Sequence, residues 1–231
     1  MKYILFDLDG TLLDNDMSIF MPQYFSLLSK KLSPFIKQPL FLEALLKASR
    51  AMISDYHPSL TNKQVFWQKF LALTGLDYRT VSPLTEEFYI NDFPSLKSLT
   101  RPMPGARELI EKLFAKGLKI VIATNPLFPK RAIKHRLQWA ALDDFPFALI
   151  TTYENMHTGK PRLEYYYEIL SLIKAQPWQA IMVGNSLDED MIAKKVGLFT
   201  FYLCGNSEAP LKSELVDWYG SLGDLRKVLL V

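Results

Sequence analysis

The chain has one cysteine, Cys204, in 231 residues. An internal disulfide is therefore excluded, and the fold must rest on an apolar core. No apolar run approaches the ~20 residues that a membrane-spanning helix needs, so a membrane is not an expected partner. The amino-terminal run Tyr3-Ile4-Leu5-Phe6 has no cationic lead-in and is cut short by Asp7. No secretory signal is expected, and the expected location is the cytoplasm. Charge of one sign is also lacking: 27 basic residues face 24 acidic ones, a net +3, dispersed without a Lys/Arg stripe. Nucleic acid is thus not an expected partner. His57, His135 and His157 are scattered without ligand spacing and read as structural or surface residues. What the chain does have is 49% apolar and 13% aromatic residues, enough for a packed core in one or two domains.

Short apolar runs predict strands at Tyr3–Phe6, Lys119–Ala123, Phe147–Thr152, Ala180–Gly184 and Phe199–Cys204. Helical patterns lie between them. Pro104 is expected in the first turn of a helix carrying Leu109, Ile110, Leu113 and Phe114 inward, with Gly117 as its left-handed cap. Pro129 opens a second helix. Pro161 opens a third, with Leu163, Tyr166, Tyr167, Leu170 and Ile173 on one stripe, and Gly197 closes a fourth after Met191, Ile192 and Val196. At the carboxyl end Leu222, Leu225, Val228 and Leu229 form a core-facing stripe. This alternation predicts an α/β fold with a parallel sheet covered on both faces.

Residues 17–100 differ. They show no convincing strand but repeated helical spacing: Phe41, Leu45, Ala48 and Met52, then Phe66, Phe70 and Leu73 behind the capping-box pattern Thr61-Asn62-Lys63-Gln64. Ser82-Pro83 reads as the N-cap and first turn of a further short helix. The expected division is a catalytic core of residues 1–16 and 101–231 with an all-helical cap domain, 17–100, inserted after the first strand. The loop Asp14-Asn15-Asp16-Met17 and the stretch around Phe93-Pro94 are the expected hinges.

The chemistry concentrates where strands should end. Asp7 and Asp9 follow the first strand, and burying unpaired carboxylates is costly, so they are expected just beyond its carboxyl end, where open α/β sheets bind ligands. Thr124-Asn125 follows a second strand and Lys160 precedes a helix. Gly184-Asn185-Ser186, with Asp188, Glu189 and Asp190, follows a third strand. Asp188 and Glu189 fit solvated acids at a helix start and rank below Asp190.

Phe6 to Leu12 (FDLDGTL), Ile122 to Asn125 (IATN), Gly159 to Pro161 (GKP) and Val183 to Asp190 (VGNSLDED) resemble, in order, the four motifs of the haloacid dehalogenase superfamily of hydrolases. The helical insert is similar to that superfamily's helical cap class. The resemblance implies a Rossmann-like, doubly wound core and a phosphatase that uses Mg²⁺ on a small phosphorylated metabolite. Asp7 would be the nucleophile, Asp9 the general acid and then base, and Lys160 the cation that offsets charge beside Asp7. Thr11, Thr124, Asn125 and Lys160 would bind the phosphoryl group, and Asp7, Asp9, Asn185 and Asp190 the metal. The fourth motif departs from the common Gly-Asp pattern: Asn185 offers a neutral amide oxygen, which should weaken Mg²⁺ binding. Asp9 argues the other way, because the dehalogenases proper do without it and without metal. A dehalogenase or phosphomutase reaction, or a non-catalytic binding protein with a decayed fourth motif, are the alternatives.

Overall fold

The computed structural model describes residues 1–204 and 213–230. Its centre is β1 (Tyr3–Phe6), in which all four residues are buried. The chain then makes β2 (Leu13–Asn15), α1 (Met17–Leu32), α2 (Gln38–Ser54), α3 (Asn62–Thr74) and α4 (Tyr78–Glu87). A π-helical turn, Phe88–Asp92, and a 3-10 helix, Phe93–Leu99, lead into β3 (Thr100–Pro102). Beyond it strand and helix alternate: α5 (Ala106–Ala115), β4 (Lys119–Ile122), α6 (Lys130–Trp139), β5 (Leu149–Ile150), α7 (Leu163–Ile173), β6 (Ala180–Gly184), β7 (Phe199–Leu203), β8 (Trp218–Gly220) and α8 (Leu222–Leu230).

The strands pair in the order β5-β4-β1-β6-β7-β8, all parallel. After β1 the chain builds outward on the β4 side and later on the β6 side, so the order reverses at β1. In a doubly wound sheet that reversal marks where ligands bind. Side chains alternate across the sheet. Ile4 and Phe6 face one apolar cluster, shared with α5, α6 and the helices of residues 17–99. Tyr3 and Leu5 face the other, under α7 and the 3-10 turn Met191–Val196.

The helices of residues 17–99 share the first cluster's core with the sheet. The rings of Phe20, Phe93 and Trp139 of α6 have centroids within 6.4 Å of one another, Phe93 stacked on Trp139 and edge-on to Phe20. A second anchor is polar. The Asn62 side chain donates to the carbonyls of Pro126 and Thr158, both at 3.1 Å. The N–H groups of Asn62 and Lys63 donate to Met156 and Tyr153 carbonyls. The expected capping box of Thr61 and Gln64 is present, so this anchored corner is also a well-terminated helix start.

Several expectations are corrected. Ser82-Pro83 starts no helix: Asp77 caps α4 through the Thr80 N–H and Pro83 lies inside it, with Val81 buried. At the expected hinge Phe93-Pro94, Phe93 is fully buried in the aromatic cluster. The return crossing is β3, paired antiparallel with β2, Leu13 opposite Pro102. Tyr167 points outward, 53% exposed, and Tyr165 takes its place inside. The reason is polar: the hydroxyls of Tyr165 and Tyr166 find carbonyl acceptors at the sheet's end, which sets the rotation of α7. Pro104 precedes the first turn of α5, whose N-cap is Gly105. Val228 of α8 is exposed, the segment before Gly197 is 3-10 rather than α, and the expected strand at Phe147–Thr152 shortens to β5. Truncating Phe93 to Ala should lower the unfolding free energy by about 3–5 kcal/mol. A hinge residue would cost far less in the same urea titration.

Candidate active site

Asp7 follows β1 directly and its N–H still donates to the Val183 carbonyl at 2.9 Å, so its backbone is fixed by the ladder with β6. After it the chain turns tightly: the N–H groups of Thr11, Leu12 and Leu13 all donate to the Leu8 carbonyl, with Leu8 and Leu12 buried. Gly10 permits the turn with φ of +76°, and a Cβ there would lie 2.3 Å from Asn185 Nδ2. The loop after β1 and the loop after β6 therefore touch through a glycine.

Lys160 arrives from the loop after β5. Its Nζ donates to Asp7 Oδ1 at 2.8 Å and to Asp190 Oδ1 at 2.5 Å, and the side chain is 1% exposed. Asp190 Oδ2 accepts the Ser186 N–H at 3.0 Å, so both its oxygens are engaged. It sits against Gly184, where a Cβ would come within 2.2 Å of it. Tyr166 of α7 donates its hydroxyl to the Glu189 carbonyl at 2.6 Å, and Tyr165 and Thr151 donate to the Thr124 carbonyl at 2.9 and 2.6 Å. One helix thus ties down the loops after β4 and β6. Asn125 completes the knot: its Nδ2 lies 3.3 Å from the Lys160 carbonyl and 3.5 Å from Glu189 Oε2.

Electrostatics follow from this burial. Desolvation pushes the Asp7 carboxyl from 3.8 up to about 7; Lys160 opposes that rise and Asp190 adds to it. For Lys160 burial works against the charge, but Asp190 and Asp7 outweigh it and hold the ammonium well above the ordinary lysine range. Burial also raises Glu189.

Asp9 is placed differently. Its side chain accepts from Asn15 Nδ2 at 2.7 Å and forms an ion pair with Arg136 of α6. Asp7, Lys160 and Asp190 are thus in direct contact, and Asn125 and Asn185 line the adjoining loops. Thr11 is fully buried, its hydroxyl 3.4 Å from Asn185 Oδ1. Thr124 is buried, and Asp188 makes no side-chain hydrogen bond among the described residues. From the sequence Asn15 is expected only as part of a hinge and Tyr165 and Tyr166 only as helix-packing residues, and Arg136 is not singled out. Arg136 carried a usable signal: it shares the inward face of α6 with Ala132, Ile133 and Leu137, where a charge needs a buried partner.

Among the described residues no cluster of three or more His, Cys, Asp or Glu side chains is arranged around a metal position. The oxygens nearest the Asp7 loop are nonetheless hard donors. Among the described residues Asp7 accepts side-chain hydrogen bonds from Lys160 alone, and Asn185 lies against Gly10. Such a set suits a hard divalent cation with water completing its shell.

The profile of haloacid dehalogenase-like hydrolases matches residues 1–197, and the chain belongs to that family. It is a hydrolase by that membership. A Xenopus laevis haloacid dehalogenase-like hydrolase domain-containing protein 3 is 30% identical over 57% of this chain, which spans 52% of that protein. The phosphoglycolate phosphatase of Mannheimia succiniciproducens is 24% identical over 99% of this chain and 98% of its own. Among solved structures, a phosphatase of the same family from Thermococcus onnurineus superposes with a TM-score of 0.61 at 26% identity, covering 99% of this chain and 98% of that one. A dehalogenase at 19% identity shares the fold, with a TM-score of 0.62 over 99% of this chain and 97% of its own.

The shifted Asp7 carboxyl makes stability pH-dependent. Its pKa is raised in the fold, so its contribution is full below about pH 4 and is lost as pH climbs through about 7. Lys160, also raised, stays charged throughout that window and does not shape it. In chelator, Asp7→Asn should be more stable than the parent at pH 8, by up to about 4 kcal/mol, with the gap closing near pH 4. A gap that is the same at both pH values in guanidinium titrations would mean that Asp7 is ionised in the fold across the range.

Proposed function

We propose that the chain is a Mg²⁺-dependent phosphatase of the cytoplasm that hydrolyses a small-molecule phosphate monoester through an aspartyl-phosphate at Asp7. The observation that carries this reading is the buried Lys160 held between Asp7 and Asp190. Relatives named phosphoglycolate phosphatase and glyceraldehyde 3-phosphate phosphatase, at 24% and 26% identity, support the reaction class.

In this reading an Asp7 oxygen attacks phosphorus as the ester P–O bond breaks, and the departing oxygen takes a proton from Asp9. Asp9 then accepts a proton from water, whose oxygen attacks phosphorus and releases phosphate and the Asp7 carboxylate. Asp9 rests on Arg136 and Asn15, so it reaches the ester oxygen only after that pair opens. Lys160 offsets the charge of the phosphoryl oxygens, with the loop Thr124-Asn125 beside it, and Asp190 orients the ammonium. Thr11 supports Asn185 rather than touching substrate. Mg²⁺, which Asp7, Asp9 and Asn185 would hold, would neutralise charge on the phosphoryl group. Asp190 spends its oxygens on Lys160 and Ser186, which makes it a positioning residue more than a ligand. The helices of residues 17–100 act as a cap that excludes water and selects the ester.

An aryl phosphate assay with Mg²⁺ and with chelator tests the reading. Turnover should require the ion and fall at least about 10³-fold in Asp7→Asn. Metal-independent release of halide from a 2-haloacid, with no phosphate release, would establish the dehalogenase alternative instead. Asn185→Asp adds a second carboxylate and should tighten Mg²⁺ binding on the order of tenfold by calorimetry.

A further inference from the structure

A cavity of about 240 Å³ lies between α1, α2, α3 and the loop that follows β4. Its wall is mainly apolar, and Tyr24, Phe25, Phe66, Trp67, Tyr89, Phe128 and Tyr153 are its aromatic part. The Tyr24 and Tyr89 hydroxyls satisfy each other at 2.8 Å, which leaves that side without a free polar group. Burial pushes Tyr24 up to about 12, as expected of a dry wall. The only charged residue in the lining is Arg50, which is exposed at the rim. Inside, no cationic side chain balances a second anionic group, so a small ester with a carboxylate beside its phosphoryl group, such as phosphoglycolate, gains little there.

The cavity abuts the chemistry. Phe128, three residues past Asn125, lines it. The Arg136 guanidinium lies 4.4 Å from the centroid of that ring and is the partner of Asp9. A chain of contacts thus runs from the cavity wall through Phe128 and Arg136 to the carboxylate that would protonate the leaving oxygen. A void of ~150 Å³ admits benzene, so 240 Å³ has room for a bicyclic ring or a branched chain of similar size.

We propose that this cavity receives the leaving group, and that the substrate is the phosphate monoester of a bulky apolar alcohol, aromatic or branched. The assignment rests on the phosphatase reading above. Entry of the group displaces Phe128, which loosens Arg136 from Asp9 as the proton is needed.

The test compares 1-naphthyl phosphate with phosphoglycolate under Mg²⁺, and measures 1-naphthol binding to the Asp7→Asn protein by calorimetry. The parent should favour the naphthyl ester at least tenfold in kcat/KM, and naphthol should bind with a Kd at or below about 0.1 mM. Ser49→Phe, projecting into the cavity from α2, should lower that preference at least tenfold and abolish naphthol binding. Met21→Trp, from α1, does the same should the first variant not fold. Better turnover of phosphoglycolate, or a preference that neither variant changes, overturns the leaving-group assignment and leaves the phosphatase reading standing. Failure to hydrolyse either ester overturns both, whether or not naphthol binds.

Discussion

Two carboxylates and one ammonium share a place from which water is nearly excluded, and the rest of the molecule is arranged around that imbalance. Burying a single ion costs several kcal/mol even after relaxation. The Lys160 ammonium offsets one of its two partners, Asp7 and Asp190, but one negative charge is left over. Without metal that excess falls on Asp7, whose carboxyl is driven up to about 7 by burial with Asp190 as an added repulsion. A surplus of this kind is the electrostatic condition that the proposed Mg²⁺ would answer. Asp190 does not compete for the cation, because Lys160 and the Ser186 N–H hold both its oxygens.

A second buried pair, Arg136 with Asp9, sits one layer outward and has a different character. Its parts come from α6 and from the loop after β1, and Arg136 Nε and Nη2 are left without partners. Unsatisfied donors on a buried cation weaken the case for a permanent structural bridge. They suit a pair that exchanges partners. The Phe128 ring under the guanidinium supplies a compensating attraction that changes when that ring moves. Occupancy of the aromatic cavity and the freedom of Asp9 are thereby linked through two side chains, with no larger motion required.

Much of this was legible in the sequence, for physical reasons that can be named. Asp7 interrupts an apolar run, and acids at that point need a function or a partner. The four motifs resemble those of a known superfamily in order, and the strands of the core read from their β-branched runs. The misses have equally plain causes. β2 and β3 are Leu-Asp-Asn and Thr-Arg-Pro, three residues each, too short and polar for any period to register. Tyr165 and Tyr167 differ by two positions on a helix. Apolar spacing cannot choose between them, whereas a carbonyl at Thr124 can. Pro83 resembles a helix start, but Asp77 caps the helix five residues before Ser82 and the proline is carried in its interior. Arg136 is marked by its place on the apolar stripe of α6, but which acid it meets is set by tertiary structure.

What brings Asp7 and Lys160 together across 153 positions is register. β1 lies between β4 and β6, with Phe6 opposite both Ile122 and Val183, so the three loops that carry Asp7, Thr124 and Asn185 leave the sheet at one level. A slip of β1 by one residue would turn Ile4 and Phe6 away from the larger core and carry Asp7 to the opposite face. Both faces of β1 are buried in separate apolar clusters, so such a slip exchanges Phe6 with Leu5 and Tyr3 in two fitted environments at once. Misplacing those core residues would expose or misfit apolar groups on both faces at once. The apolar sheet can therefore hold a charge arrangement that would not form by itself, and the helical segment is left free to shape the cavity beside it.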